Sequence, residues 1–190
     1  MTEIKEETEM TDKLPNAVEG FILQWGDLGG KWGVNRSIGQ IHAFLYLATR
    51  PLTAEDIAER LGMARSNVSN SIKELLSWNL IRRVPQMNDR REHFEAETDV
   101  WEIAARIAAG RKAREIDPAL SALQNCVGEA KDDPTVSDET RQRLQNMLEF
   151  TASVDNWYSQ MLAMPQSKRQ MILKLGSKIV SFLPGGKDKD

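Results

Sequence analysis

Apolar positions along most of the chain recur at intervals of three and four, the period of a helix buried on one face. Val18, Phe21, Ile22 and Trp25 predict a first helix from Leu14 to about Gly29, where Gly26, Gly29, Gly30 and Gly33 break the pattern. Ser37-Ile-Gly-Gln40 has capping-box spacing, and a second helix follows to about Ala48 with Ile38, Ile41, Leu45 and Ala48 inward. Pro51 ends that segment. Thr53 then serves as the N-cap of a third helix, with Asp56 at its third position and Ile57, Ala58 and Leu61 inward. Gly62 can take the positive φ that stops a helix, so another can begin about three residues later. Its apolar stripe is Val68, Ile72, Leu75 and Leu76.

At Leu80 the period changes. Leu80–Val84 and Glu92–Ala96 read as two short strands around the polar loop Pro85-Gln-Met-Asn-Asp-Arg-Arg91, a β-hairpin. Helical spacing returns after Asp99, which can cap a helix beginning at Val100 that carries Trp101, Ile103 and Ile107. Asp117-Pro118 predicts a capped restart running to about Ala130, because proline fits the first helical turn but not a helix interior. Leu144, Met147, Leu148, Thr151, Val154, Tyr158, Met161 and Leu162 mark a long helix. Beyond Pro165, Met171, Ile172, Leu175, Ile179 and Phe182 mark the last one, and Pro184-Gly-Gly186 closes the pattern. The expected fold is mainly α: a winged helix-turn-helix with a two-stranded wing and additional N- and C-terminal dimerisation helices. Its expected divisions are an acidic flexible tail at 1–13, a winged helix-turn-helix region at 14–98 and a helical dimerisation and effector region at 99–190.

The outer face of the helix after Gly62 changes this from a fold into a function. It carries Arg65, Ser66, Asn67, Ser69, Asn70 and Lys73. Asn matches the adenine N6/N7 edge, Arg matches guanine O6/N7, and small side chains let a helix approach a major groove closely. Any exposed helix is polar outside, so the neighbouring charge decides the reading. Between Gly62 and Arg91 the cations Arg65, Lys73, Arg82, Arg83, Arg90 and Arg91 face only Glu74 and Asp89. Arg90 and Arg91 near the wing tip can reach a minor groove or clamp a phosphate. Pairing with Asp89 or Glu92 is the rival reading for these arginines, and Arg82 and Arg83 alternate, so at most one of them faces DNA. Because the whole chain has a net charge of −3, attraction to phosphates must be local, which favours selective binding. One winged helix reads one half-site, and the apolar stripes after Asp99 exceed what a small domain can cover. Both point to an isologous homodimer with its two reading helices ~34 Å apart.

Other classes find little support. The chain offers no glycine-rich phosphate loop after a strand, no nucleophile elbow and no metal-ligand cluster, and His42 and His93 are isolated in sequence. Neither an enzyme nor a cofactor is expected. His42 reads as a partly buried polar contact. Cys126 is the only cysteine, which excludes an intrachain disulfide and reads as a buried spectator rather than a redox sensor. No apolar run approaches a membrane span and the N-terminus is acidic, so a cytoplasmic protein is expected. The alternative function is a winged-helix protein-interaction module without specific DNA binding.

With these residues in hand the sequence resembles the MarR superfamily of transcriptional regulators, and in particular its GbsR-like branch. The resemblance rests on Trp25-Gly26, Pro51-Leu-Thr-Ala-Glu-Asp-Ile-Ala-Glu-Arg-Leu-Gly62, Ala64-Arg-Ser-Asn-Val-Ser69, Trp78-Asn-Leu-Ile-Arg-Arg83, Asp89-Arg-Arg-Glu-His-Phe-Glu-Ala96 and Asp99-Val-Trp101. It spans roughly Ala17 to Leu123, while the last third agrees only in helical character. Two positions depart from the pattern: Ala64 replaces the usual capping hydroxyl, and Asn79 stands where the branch commonly has glycine. The resemblance implies a dimeric, sequence-specific regulator, usually repressing a neighbouring operon until a small molecule binds. The GbsR-like branch is associated with choline and compatible solutes. A quaternary ammonium would need aromatic faces, for which Trp25, Trp32, Trp101, Trp157 and Tyr158 are the candidate effector residues.

Overall fold

The structure, a computed structural model, describes residues 14–182, with side chains described as far as residue 176. The acidic tail expected at 1–13 and the Pro184-Gly-Gly186 close lie outside the described residues. The elements in order are α1 (Asn16–Lys31), α2 (Arg36–Leu47), β1 (Leu52–Thr53), α3 (Ala54–Leu61), α4 (Arg65–Ser77), β2 (Ile81–Gln86), β3 (Asp89–Ala96) and α5 (Val100–Arg111). A five-residue π-helical stretch, Lys112–Ile116, then leads into α6 (Asp117–Asp132), α7 (Asp138–Ala163) and α8 (Gln166–Phe182). The chain divides into two compact units between Arg106 and Ile107.

The first unit is closed by its own core. Ile41, Ile57, Val68, Leu75, Ile81 and Phe94 are all buried, so α2, α3, α4 and the sheet share one apolar centre. The α1–α2 pair comes together at facing glycines: a Cβ added to Gly39 would stand 3.0 Å from Gly26 Cα and 3.1 Å from the Trp25 carbonyl oxygen. Only residues without side chains let the two backbones approach so closely. α2 starts two residues earlier than its sequence pattern predicts. Asn35, not Ser37, is the cap, its Oδ1 accepting from the Ser37 backbone N–H at 2.9 Å.

Thr53 caps α3 as expected, and with Asp56 it completes a capping box, each side chain accepting from the other's backbone N–H. Thr53 also belongs to β1, a two-residue strand that its capping role concealed in the sequence. Leu52 pairs with Phe94 and Thr53 with His93, so the sheet has three antiparallel strands in the order β1-β3-β2. The wing itself, β2 and β3, is two-stranded as expected. Its strands are longer than predicted and its loop shorter, because the chain reverses at Met87-Asn88 with Asn88 at φ 65°.

Asp99 caps α5, its Oδ1 accepting from the Trp101 and Glu102 amides. The restart expected at Asp117 takes another form. Asp117 makes no capping bond; its carboxylate instead accepts from Lys112 Nζ at 2.5 Å, and the π-helical stretch precedes the turn that holds Pro118. Lys112 also pairs with Asp155 of α7 at 2.6 Å, and the two carboxylates raise its pKa. At the other end of the α6–α7 hairpin, Ser137 caps α7, while Arg141 donates to the Ala130 and Asp133 carbonyls.

The second unit buries little by itself. Ala130 is the single buried apolar residue among its described residues. Phe150 and Trp157 are 66% and 57% exposed, and Met147, Met171 and Leu173 are exposed as well. Cys126 is exposed on α6, contrary to the buried spectator expected. No helix among the described residues is long and apolar enough to cross a membrane.

Candidate nucleic-acid interface

Two helices and a hairpin build the candidate surface. α3 ends at Gly62, which adopts φ 60° and ψ 34°, and the Met63 amide turns back to the Ala58 carbonyl at 2.9 Å. This left-handed cap reverses the chain within three residues. α4 starts at Arg65 behind Ala64, which has extended backbone angles and no side-chain capping bond. Ser66 does not take over the cap.

Burial of Val68, Ser71, Ile72 and Leu75 fixes the rotation of α4. It leaves Arg65, Ser66, Ser69, Asn70 and Lys73 exposed together on the opposite side, five of the six residues expected there. The sixth, Asn67, sits half-buried at the edge, its Nδ2 donating to Ser37 Oγ of α2 at 2.9 Å. This bond uses one of the two Nδ2 hydrogens and ties α4 to α2. Ser37 is thus a supporting residue that the sequence pattern had assigned to a cap.

The wing distributes its arginines differently from the sequence expectation. Arg90 and Arg91 are consecutive residues of β3, not of the loop, and so point to opposite sides of the ribbon. Arg91 forks onto Asp89, with Nη2–Oδ2 at 2.6 Å and Nε–Oδ1 at 3.0 Å, and the Asp89 carboxylate also accepts from the Arg91 amide. Those bonds hold the Asp89 carboxyl far below the usual range and raise the Arg91 guanidinium further. His93 braces the same corner, its Nδ1 3.0 Å from the Arg91 carbonyl oxygen and its Nε2 3.4 Å from Asp89 Oδ2. Arg82 and Arg83 are paired across the ribbon with Glu95 and Glu92. Among the described residues Arg90 and Lys73 have no charged partner, which leaves them the freest cations of the surface.

Glu55, on the first turn of α3, joins the helix pair to the wing. Its Oε1 lies 3.2 Å from Arg65 Nη1 and its Oε2 3.7 Å from Arg91 Nη1. Nothing in the sequence distinguished it from an acid placed to suit a helix N-terminus.

Residues 32–92 match the sequence profile of the MarR family. This segment is similar to the MarR family over the winged helix. Over 89 residues the chain is 22% identical to a putative HTH-type transcriptional regulator, YvaV, of Bacillus subtilis, covering 47% of this chain and 50% of that protein. Over 133 residues it is 21% identical to the HTH-type transcriptional repressor GbsR of the same organism, covering 66% and 73%. The chain spans about half the length of two of the curated relatives it matches. The crystal structure of a transcriptional regulator superposes with a TM-score of 0.60 at 18% identity, covering 77% of this chain and 95% of that one, and it shares the fold. The MarR-family match contains α2 to α4, the wing turn and both wing arginines.

The aromatic candidates for an effector have other neighbours. Trp25 stacks on Phe21, with centroids 5.7 Å apart, and donates its indole N–H to His42 Nδ1 at 3.3 Å. Trp157 meets Tyr158 edge-on at 5.3 Å, Trp32 is exposed at the end of α1, and Trp101 is half-buried in the first turn of α5. A cleft of about 360 Å³ beside the base of the wing holds Arg50, Arg82, Arg106, Glu95 and Glu97, and no aromatic ring lines it. Among the described residues no three His, Cys, Asp or Glu side chains are grouped to hold a metal.

Proposed function

We propose that the chain is a sequence-specific DNA-binding transcriptional regulator that acts as a homodimer, and a repressor by its likeness to GbsR. The observation that carries this reading is the exposed polar face of α4, with Arg65, Ser69, Asn70 and Lys73 free of the core and wing cations beside it. Asn70 and Arg65 have the donor and acceptor patterns that adenine and guanine edges complement in a major groove. Arg90 and Lys73 suit phosphates, and Arg91, on the other side of the ribbon and held by Asp89, can meet the opposite wall of a narrow groove that the wing tip enters. A protein-interaction module would not require Lys73 and Arg90 to stand without charged partners among the described residues, on one surface of an acidic chain.

The dimer follows from the second unit, whose exposed Phe150 and Trp157 continue the apolar line of Met147, Val154 and Met161 along α7 at heptad spacing. A second copy of this chain is the occupant that a twofold-symmetric reader requires. The GbsR-like assignment adds a small-molecule effector, and choline or betaine at millimolar concentration is the class to add to a DNA titration.

Ionic strength tests the reading. Affinity for a duplex carrying the preferred sequence should fall steeply between ~50 and ~200 mM salt, by a factor of about 10³ or more if six or more phosphates are neutralised. Binding that ignores salt would favour the protein-interaction module.

A further inference from the structure

We infer that Glu55 is a specificity-determining residue, a shared anion that holds Arg65 of α4 and Arg91 of the wing in their reading positions and penalises duplexes that offer only phosphates. The inference rests on the DNA-binding reading above. Its two carboxylate oxygens address two different elements, at 3.2 Å and 3.7 Å, so one side chain sets both arginines. Glu55 is the only acid paired with Arg65 among the described residues, whereas Arg91 keeps Asp89 as well.

Fold stability does not account for Glu55. Its side chain is 50% exposed and Arg65's 79%, and pairs so open to water contribute little. Among phosphates the same carboxylate has a large effect, because it is a fixed negative charge on a surface that must approach a polyanion. A guanidinium has two bonding edges. When Arg65 reads a guanine, one edge can bond O6/N7 while the other stays on Glu55, so the pair survives in the complex. When a duplex offers no such base, Arg65 must swing to a phosphate. Glu55 is then left unpaired beside like charge. The penalty therefore falls on non-specific complexes more than on the preferred one, which widens the ratio between them.

The test uses the full chain, a duplex motif enriched by the parent from a random pool, and a scrambled duplex of the same length and composition. Glu55→Gln should bind the scrambled duplex about 3 to 10 times more tightly, with a steeper salt slope, and gain less on the enriched one. Glu59→Gln, the same charge change on the exposed side of the same helix, should leave the ratio unchanged. In an Arg65→Ala background, where Glu55 has no α4 partner on either duplex, Glu55→Gln should tighten both duplexes by the same factor. Equal gains on both duplexes in the parent background, an equal effect of Glu59→Gln, or a difference between the duplexes that persists without Arg65 would each overturn the inference and leave the DNA-binding reading intact. A folded parent that binds no duplex at low salt would remove both.

Discussion

Asn70 and Arg90 separate two kinds of contact that a residue on this surface can make. Asn70 is exposed on α4 where a base edge can reach it, so Asn70→Ala should flatten the base preference at one position, by about 1 to 3 kcal/mol. Arg90 is exposed on the wing, so Arg90→Ala should weaken all duplexes alike and reduce the salt slope by about 1. Competition binding with single-base variants of the site distinguishes them, and identical profiles for the two variants would refute the division of roles. Asn67 differs from Asn70 in that its amide also donates across to Ser37 of α2. Periodicity placed it on the polar face, but only the packing of α4 against α2 shows that this edge is half-buried.

His42 makes a prediction of another sort. Burial pushes its pKa from 6.5 down to about 4, and the Trp25 indole N–H, which can only donate, requires Nδ1 to be unprotonated. The remaining N–H, on Nε2, has no partner among the described residues. Between pH 6.5 and 4 the unfolded chain therefore binds a proton that the native chain refuses, and stability falls as pH falls, by roughly 3 kcal/mol over that window. Denaturant midpoints measured from pH 7 to 4 should drop less for His42→Gln than for the parent. Parallel drops would show that His42 is not the sensitive group.

At the scale of elements, the close crossing of α1 and α2 is the most exacting feature of the first unit. Gly39→Ala should destabilise the protein by about 1 to 3 kcal/mol, despite alanine's higher helix propensity, because its Cβ meets Gly26 backbone at 3.0 Å. Thermal unfolding checks this, and a raised midpoint would mean that the helices can separate freely. Much of the element order was legible in the sequence, since the apolar stripes of α2, α3 and α4 are dictated by burial on one side. The Gly62 stop was legible for a similar reason: a left-handed residue has few occupants. Asn79 shows the same chemistry from the other side, adopting φ 55° with one of the few non-glycine side chains that tolerate it. What the sequence concealed are residues with two competing local uses. Thr53 is both a cap and a strand residue, Asn35 outbids Ser37, and Asp117 bonds Lys112 where a cap was expected. Short polar side chains suit several backbone sites equally, and only tertiary placement chooses among them.

For the whole molecule, the two units differ in how much apolar surface they bury. One buries a full core, and the other leaves Phe150 and Trp157 in water along a helix of 26 residues. Exposed apolar area of this kind marks an interaction surface. Phe150→Glu should shift sedimentation from dimer to monomer, and an unchanged dimer would place the interface elsewhere. The measurement that bears most directly on the central claim is enrichment of random duplexes by the full chain, followed by sequencing. The enriched pool should hold an inverted repeat with half-site centres about one helical turn, ~10 base pairs, or a multiple of it apart, lost on Arg65→Ala. A pool that stays random over repeated rounds with folded, dimeric protein would contradict it.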